Sequence, residues 1–355
     1  MTKVSLPSQM PPKRAKLYWP YVLLGLTVVT WSGFWYFAAN KTENLMDSWL
    51  QREAQLGRIW SCLDRQISGY PFRIEIKCNE PQFKGQLGGE SYTGTLKSLH
   101  SFAQVYQPSL VLTDLEGPLQ LKSESGTVDF RMEWKSLRAS LQGLPTSFKR
   151  FSVSIVEPKV QAESLRGSLP LTKAKEVEFH LRPDGTGVAQ AFDFALSLDG
   201  LTHPALDDLT GSTEALKINA KGNVTQLDPS QKGNVAERLE HWRSSGGTLQ
   251  ALDMKIEKSD LNISAKGDLK LDEWHRPSGN LNAEFAGFSP LLRRFGINIP
   301  GGAASDFLGG LLGQKPVDKG EGNARKPLRL PVILANGRLF VGPFKTPVAL
   351  QPLYD

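Results

Sequence analysis

The two cysteines are the residues whose type and spacing most directly imply chemistry. Cys62 and Cys78 are the only cysteines in the 355-residue sequence, and fifteen residues lie between them. A disulfide would close a short loop that contains Gly69 and Pro71, and would stabilise the fold by roughly 3 kcal/mol. The alternative is a pair of buried free thiols. An oxidising compartment favours the disulfide, so the choice depends on where the cysteines reside.

No metal site, cofactor or catalytic residue is predicted. The cysteine spacing is not that of a zinc knuckle, and the histidines occur singly along the chain. They are His100, His180, His203, His241 and His275. The sequence lacks a G-x-S-x-G elbow, a Walker A loop and an H-E-x-x-H helix, so an enzyme is not expected. The neighbours Asp207 and Asp208 are typical of a solvated loop rather than of an acid/base pair.

The formal net charge of +6 comes mostly from the N-terminus. Residues 1–20 contain four basic residues and no acidic residue. The remaining chain carries 38 basic against 36 acidic residues. A nucleic-acid binder needs a concentrated basic face, which this near-neutral remainder does not offer. Nucleic acid is therefore excluded as a partner.

The elements that position the cysteines begin with a membrane span. Residues 21–39 read YVLLGLTVVTWSGFWYFAA, without a charge, and as a helix they rise roughly 28 Å, close to the hydrocarbon thickness of a bilayer. Aromatic residues at both ends are typical of the two membrane interfaces. The pattern predicts a transmembrane helix over 21–39.

The cations Lys13, Arg14 and Lys16 directly precede this span, and the cationic side is normally retained in the cytoplasm. We therefore expect a cytoplasmic tail at 1–20 and an exported domain at 61–355. A cleaved signal peptide is the competing interpretation. It needs small residues at the cleavage site, whereas Phe37 stands two positions before Ala39, so cleavage is the weaker case.

A second helix is predicted over 40–60, as a stalk between the span and the domain. Thr42 is placed to cap it, and an apolar stripe at helical spacing is suited to packing against the domain. The stripe consists of Leu45, Trp49, Leu56 and Trp60.

Beyond Tyr70 the apolar period changes from 3.6 to 2, which indicates strands with one buried face. The alternating runs are 72–78, 128–134, 151–155, 177–181, 192–198, 252–256 and 261–265. Short turns between them favour antiparallel pairing. A capping box at Asn234 and Glu237 predicts one helix in the second half. The predicted fold is mainly β: a transmembrane helix, then an extended, curved antiparallel sheet with a few short helices.

A weak repeat supports the curvature. Leu216–Asp228 aligns with Leu261–Glu273 around a shared Ala-Lys-Gly, and a fainter copy covers Ala335–Leu339. A glycine inside an alternating run is expected where a strand bulges or bends. Coincidence between strands of similar composition remains the alternative.

Residues 285–313 differ from the alternating runs because they are apolar and rich in glycine, and residues 314–327 after them have the composition of a solvated linker. The apolar segment either caps the sheet or contacts lipid or a hydrophobic ligand. The predicted contact residues are Phe285, Phe288, Leu291, Leu292, Phe295, Phe307, Leu308, Leu311 and Leu312.

Two segments carry a resemblance to a known family. Residues 57–78, GRIWSCLDRQISGYPFRIEIKC, and residues 336–355, NGRLFVGPFKTPVALQPLYD, resemble the opening and closing segments of the uncharacterised bacterial family named domain of unknown function 2125. The resemblance implies an alphaproteobacterial inner-membrane protein that faces the periplasm, and it supports the pairing of Cys62 with Cys78. It implies no activity. More distantly, the architecture is similar to AsmA-like envelope proteins, whose curved sheets offer lipid a hydrophobic groove.

The sequence thus predicts a non-enzymatic protein of the bacterial inner membrane that binds lipid or another hydrophobic ligand on the inner face of its sheet, in maintenance of the envelope. The competing hypothesis is a scaffold or assembly factor that binds another envelope protein through a sheet edge, without a ligand.

Overall fold

The fold is mainly β, and the described residues form three helices and one large antiparallel sheet. It was taken from a computed structural model, which describes residues 15–87, 90–143, 147–164, 167–229, 231, 233–287, 328–342 and 344–354. The predicted fold class is confirmed. The predicted linker 314–327 and all predicted lipid-contact residues after Phe285 lie outside the described residues.

The helices are α1 (Ala15–Gln55), α2 (Pro204–Thr210) and α3 (Val235–Ser244). The strands are β1 (Ile59–Ser61), β2 (Asp64–Ser68), β3 (Arg73–Asn79), β4 (Gln82–Leu87), β5 (Glu90–Gln104), β6 (Gln107–Ser123), β7 (Val128–Glu133), β8 (Ser136–Gln142), β9 (Arg150–Val156), β10 (Lys159–Ser164), β11 (Gly167–Ser168), β12 (Thr172–Lys173), β13 (Glu176–Pro183), β14 (Phe192–Leu201), β15 (Leu216–Val224), β16 (Leu249–Lys258), β17 (Leu261–Leu271), β18 (Pro277–Ala286), β19 (Leu328–Ala335), β20 (Arg338–Val341) and β21 (Phe344–Ala349).

Helix α1 is one continuous helix, which corrects the predicted division into a span and a stalk. The Thr42 hydroxyl donates to the Ala38 carbonyl oxygen at 2.9 Å, so Thr42 lies inside the helix and caps nothing. The helix ends at Gln55 because Gly57 takes a positive φ of 75°, which glycine adopts readily. Residues 59–61 form a strand instead of the end of a stalk helix.

Among the described residues, α1 is the one helix long and apolar enough to cross a membrane. From Tyr18 onwards, α1 has the length and the apolar composition of a membrane span. The predicted span 21–39 lies within this helix.

The sheet follows one long antiparallel path. It runs β2–β3–β5–β6–β8–β9–β13–β14–β15–β16–β17–β18–β19–β20–β21, and a branch runs β1–β4–β5–β6–β7–β10 along the other halves of β5 and β6. Most neighbours follow each other in sequence, because short turns connect antiparallel strands.

The sheet has one apolar and one polar face. Residues that are directly opposite on neighbouring strands share a face. One such row crosses nine strands and is apolar throughout: Ala139, Val153, Phe179, Leu196, Ala220, Met254, Ala265, Ala283 and Leu330. The adjacent row is polar throughout: Arg138, Ser154, Glu178, Ser197, Asn219, Lys255, Ser264, Glu284 and Arg329.

The sheet curves so that the chain before β1 approaches α3. Arg58, which precedes β1, has a raised pKa, caused first by Glu53 and in smaller part by the charge of Glu237 on α3. Eight strand pairings separate β1 from β15, which would span roughly 38 Å in a flat sheet, whereas charges act mainly within about 10 Å.

The two stronger repeat glycines flank one bulge. Gly222 lies on β15 and Gly267 on β17, the two strands that flank β16. The register of β16 shifts against both of these strands near Ala251, which has a φ of 48°. A Cβ at Gly267 would collide with the carbonyl oxygen of Asn280. The third copy is different: Asn336 and Gly337 form the hairpin turn between β19 and β20, so a bulge was the wrong prediction there.

Helix α1 is attached to the sheet along its second half. Arg58 donates to both carboxylate oxygens of Glu53 at 2.6 and 3.0 Å, and Arg65 on β2 donates to Asp47 at 2.8 Å. Cys62 and Cys78 form the disulfide, with Cα atoms 5.8 Å apart. The bridge ties the connection between β1 and β2 to β3, so the helix and the first strands hold together.

Asp207 is not a solvated loop residue, which corrects that prediction. It lies on α2 and accepts a hydrogen bond at 2.7 Å from the Lys258 ammonium at the end of β16. Lys258 is 2% exposed, so the carboxylate neutralises a buried charge. Asp208, one residue further, is exposed.

Candidate functional site

The apolar face is buried at one end of the sheet and half-exposed across the rest. Ala265, Ala283 and Leu330 of the nine-residue row are buried, and with Leu252, Leu281 and Val332 they belong to the core under β16 to β19. The six members from Ala139 to Met254 are only partly covered. Partly exposed apolar surface on this scale is typical of a binding surface rather than of a finished core.

An apolar cavity of about 440 Å³ lies on this face beneath α3. Val235, Leu239 and Trp242 line it from the helix, and the strands β15 to β18 line it from below. The strand residues are Val224, Leu249, Leu269, Leu271 and Pro277. Its volume lies within the range of about 300–1,000 Å³ that is usual for ligand pockets.

The sequence forms α3 by local capping, as predicted. The Asn234 side chain accepts from the backbone N–H of Glu237 at 2.9 Å, and the Glu237 carboxylate accepts from the backbone N–H of Asn234 at 3.1 Å. The Trp242 indole N–H then donates to the Thr225 carbonyl oxygen at 2.7 Å, which holds the helix against β15. A side chain at Gly247 would collide with the Trp242 ring, so glycine is required there.

The polar lining of the cavity contains both charged and neutral side chains. Arg238 and His241 contribute from α3, and Lys270 contributes from β17. Asp228 also lies in the lining. A cavity with apolar walls and an arginine in its lining is suited to an amphiphile that carries an anionic or polar group.

The chain near residue 354 closes the cavity against α3. Leu353 lines the cavity, and the Tyr354 hydroxyl donates to Glu240 at 2.9 Å. The His275 ring stacks on Tyr354 at 4.2 Å. Hydrogen bonds lower the pKa of Glu240 to about 2, with Arg243 as the larger cause and Tyr354 as the smaller one. Burial is the main cause that raises the pKa of Tyr354 to about 12, and the hydrogen bond to Glu240 adds to it.

This closure makes stability depend on pH in acid. The folded pKa of Glu240, about 2, lies below its usual 4.5, so the stabilisation is present above pH 4.5 and is lost as the pH falls towards 2. We expect Glu240→Gln to reduce the acid dependence of the unfolding midpoint within this window. Urea unfolding at several pH values measures it, with Glu257→Gln on the exposed side of β16 as the control. Identical pH profiles for wild type and Glu240→Gln would contradict the role of this carboxylate.

The polar face holds hollows of a different kind. One, of about 710 Å³, is lined by Asp253, Lys255, Lys266 and Glu284 among others, and another, of about 670 Å³, is lined by Arg150, His180, Arg182 and Lys221 among others. Within the part of the chain that the structure describes, no three His, Cys, Asp or Glu side chains are placed to hold a metal ion.

Sequence reasoning missed one buried carboxylate. The alternation in β3 predicted Glu75 on the exposed side, yet Glu75 is 4% exposed and Phe72 is exposed. Arg73, Lys77 and His100 surround the Glu75 carboxylate, with His100 Nε2 at 3.3 Å. Two cations at i−2 and i+2 on the same strand face were the available signal, because they can neutralise a carboxylate between them.

The structure separates Phe285, the described member of the predicted contact residues, from the cavity. Phe285 lies on the apolar face opposite Ile263 and Leu328, at the ends of the strands remote from α3. The other predicted contact residues fall outside the described part of the chain, so their contacts with lipid stay a prediction. The cavity beneath α3 was not predicted, because its walls come from four strands, a helix and Leu353, which is distant from them in sequence.

A family model covers most of the chain. It matches residues 35–349, from the middle of α1 to the last strand. No curated protein and no solved structure matches the chain, so the more distant similarity to AsmA-like proteins is not confirmed. The chain belongs to the family DUF2125, described as uncharacterized proteins conserved in bacteria.

Proposed function

We propose that this chain is a single-pass membrane protein that binds a lipid or a similar hydrophobic ligand on the apolar face of its exported sheet. The observation that carries the proposal is the half-exposed apolar row from Ala139 to Met254 together with the cavity beneath α3. The exposed part of an apolar surface of this length costs free energy unless a hydrophobic partner covers it.

The proposed orientation places the N-terminus in the cytoplasm and the sheet in the periplasm. Lys13, Arg14 and Lys16 before the span support this direction. The Cys62–Cys78 disulfide supports it independently, because disulfides persist on the oxidising side of the membrane. The proposed role is binding in envelope maintenance rather than catalysis.

The proposed ligand is an amphiphile. Its apolar part would fill the cavity between α3 and β15 to β18, and its polar or anionic group would lie near Arg238. Burial of an acyl chain would stabilise the complex by about 0.8 kcal/mol for each methylene group removed from water.

Native mass spectrometry of the full-length chain, extracted in detergent from the membrane, tests the proposal. We expect a bound lipid in near-stoichiometric amount with the wild-type chain. Leu239→Arg places a charge among the apolar cavity walls and is expected to reduce lipid occupancy at least tenfold. Leu209→Arg makes the same change on α2, at the other ends of the strands, and is expected to retain the lipid.

Far-UV circular dichroism establishes that both variants keep the sheet. A folded wild-type chain without lipid would refute the proposal and favour the scaffold that binds another envelope protein through a sheet edge. Equal lipid occupancy in wild type and a folded Leu239→Arg variant would show that the lipid binds outside the cavity beneath α3.

A further inference from the structure

The loop before β3 is bound to the membrane-spanning part of α1. The Trp31 indole N–H donates to the Pro71 carbonyl oxygen at 2.9 Å, and the Trp35 indole N–H donates to the Arg73 carbonyl oxygen at 2.8 Å. The Ser32 and Tyr70 hydroxyls are hydrogen-bonded at 2.8 Å. These bonds fix the height of the loop along the helix.

That height lies inside the charge-free segment 21–39. Trp31 and Trp35 stand eight and four residues before Ala39, which corresponds to roughly 12 and 6 Å along the helix. If the part of α1 inside the hydrocarbon core ended before Trp31, it could begin no earlier than Leu17, because Lys16 is charged. Those fourteen residues rise roughly 21 Å, too short for a hydrocarbon core of about 30 Å. If α1 spans the bilayer, the loop therefore reaches into it.

A second turn lies beside this loop. The Val105 backbone N–H donates to the Phe72 carbonyl oxygen at 2.9 Å, which brings the β5–β6 turn next to α1. Tyr106 in this turn is 69% exposed, and Phe72 is 63% exposed. Exposed aromatic rings cost free energy in water, whereas the membrane interface is where such rings are enriched.

The sequence around both turns is free of charge. No Asp, Glu, Lys or Arg occurs from residue 101 to 113 or from residue 66 to 72. The first charge beyond the loop is Arg73, whose long side chain can reach the headgroup region from a submerged backbone. Uncharged, aromatic turns next to a span meet the requirement for partial insertion.

We propose that Tyr70, Phe72 and Tyr106 form a membrane-insertion tip that enters the outer leaflet beside α1. The proposal rests on the proposed function in taking α1 as the membrane span. The tip lies at the same strand ends as α3, since the starts of β6 and β16 are both at this end of the sheet. The apolar face thus begins at the bilayer surface, from which an amphiphile can reach it without crossing water.

The test uses the full-length chain in proteoliposomes with single introduced cysteines. The native cysteines are joined in the disulfide, so an environment-sensitive thiol dye reacts only at Phe72→Cys or Tyr106→Cys. Glu124→Cys is the matched control: it follows β6, whose seventeen residues extend up to roughly 58 Å from the Tyr106 end. Val28→Cys, inside the charge-free segment 21–39 of α1, reports whether the span itself is inserted.

We expect spin-labelled lipids to quench most of the fluorescence at residues 28, 72 and 106, and to leave the signal at residue 124 unchanged. Quenching at residue 28 alone would overturn the insertion tip and leave the membrane anchor intact. Absence of quenching at residue 28 as well would overturn both. Circular dichroism that matches wild type establishes that each labelled chain is folded.

Discussion

The Asp207→Ala variant is expected to lose about 3 kcal/mol of stability, the largest effect of any single substitution considered for this fold. Lys258 is 2% exposed, and its ammonium lies 2.7 Å from Asp207 Oδ1 and 2.5 Å from the Glu214 carbonyl oxygen. Removal of the carboxylate leaves a buried charge with a neutral acceptor. The value stands at the low end of about 3–5 kcal/mol because that acceptor remains.

Urea unfolding of the full-length chain in detergent, followed by circular dichroism, measures this loss. Asp208→Ala is the matched control, because Asp208 is the exposed neighbour on the same helix and should change stability by less than about 0.5 kcal/mol. Lys258→Met in the Asp207→Ala background should recover most of the loss, since no buried charge remains. Failure of Lys258→Met to recover stability would show that lost packing, not the unpaired ammonium, destabilises Asp207→Ala.

The second large effect is expected from removal of the disulfide. Replacement of Cys62 and Cys78 together by serine should lower the free energy of unfolding by about 3 kcal/mol, because the unfolded chain regains the entropy of a loop of about fifteen residues. The loss should concern the first strands and their attachment to α1, where Cys62 lies between β1 and β2.

Unfolding with and without a reducing agent measures the effect. Reduction should lower the wild-type urea midpoint to that of the double-serine variant, and it should leave the variant unchanged. A wild-type midpoint that does not move, while thiol titration finds two free sulfhydryls, would show that the bridge contributes no stability. Free thiols in wild-type protein isolated without reductant would contradict the proposed periplasmic location of the sheet.

Local patterns were sufficient for the strands and for α3. Phe179 and Leu196 alternate with polar neighbours, and this alternation alone fixes which residues share a sheet face, because the side-chain period of a strand is two. Asn234 and Glu237 are three positions apart in sequence and form the capping box at the start of α3. Such features need no information from distant parts of the chain.

Patterns at boundaries were less informative. Thr42 has the residue type of a helix cap, but an uninterrupted helix on both sides leaves no free backbone N–H for it to accept from. Asp207 has the neighbours of a loop carboxylate, but α2 places it over the end of β16, where Lys258 is buried. In both cases a contact or a continuation outside the local window decided the outcome.

The sequence by itself determined the apolar helix, the antiparallel strands, their two faces and the two cysteines that could pair, since each follows from residue types at short spacing. Only the tertiary structure decided that the apolar face remains half-exposed, that α3 covers a cavity and that the Tyr70 loop lies against Trp31. These depend on the curvature of a sheet and on contacts across up to 114 residues, as between Tyr354 and Glu240. The physical reason is that curvature accumulates over many strand pairs, so residues close together in sequence cannot predict the total curvature.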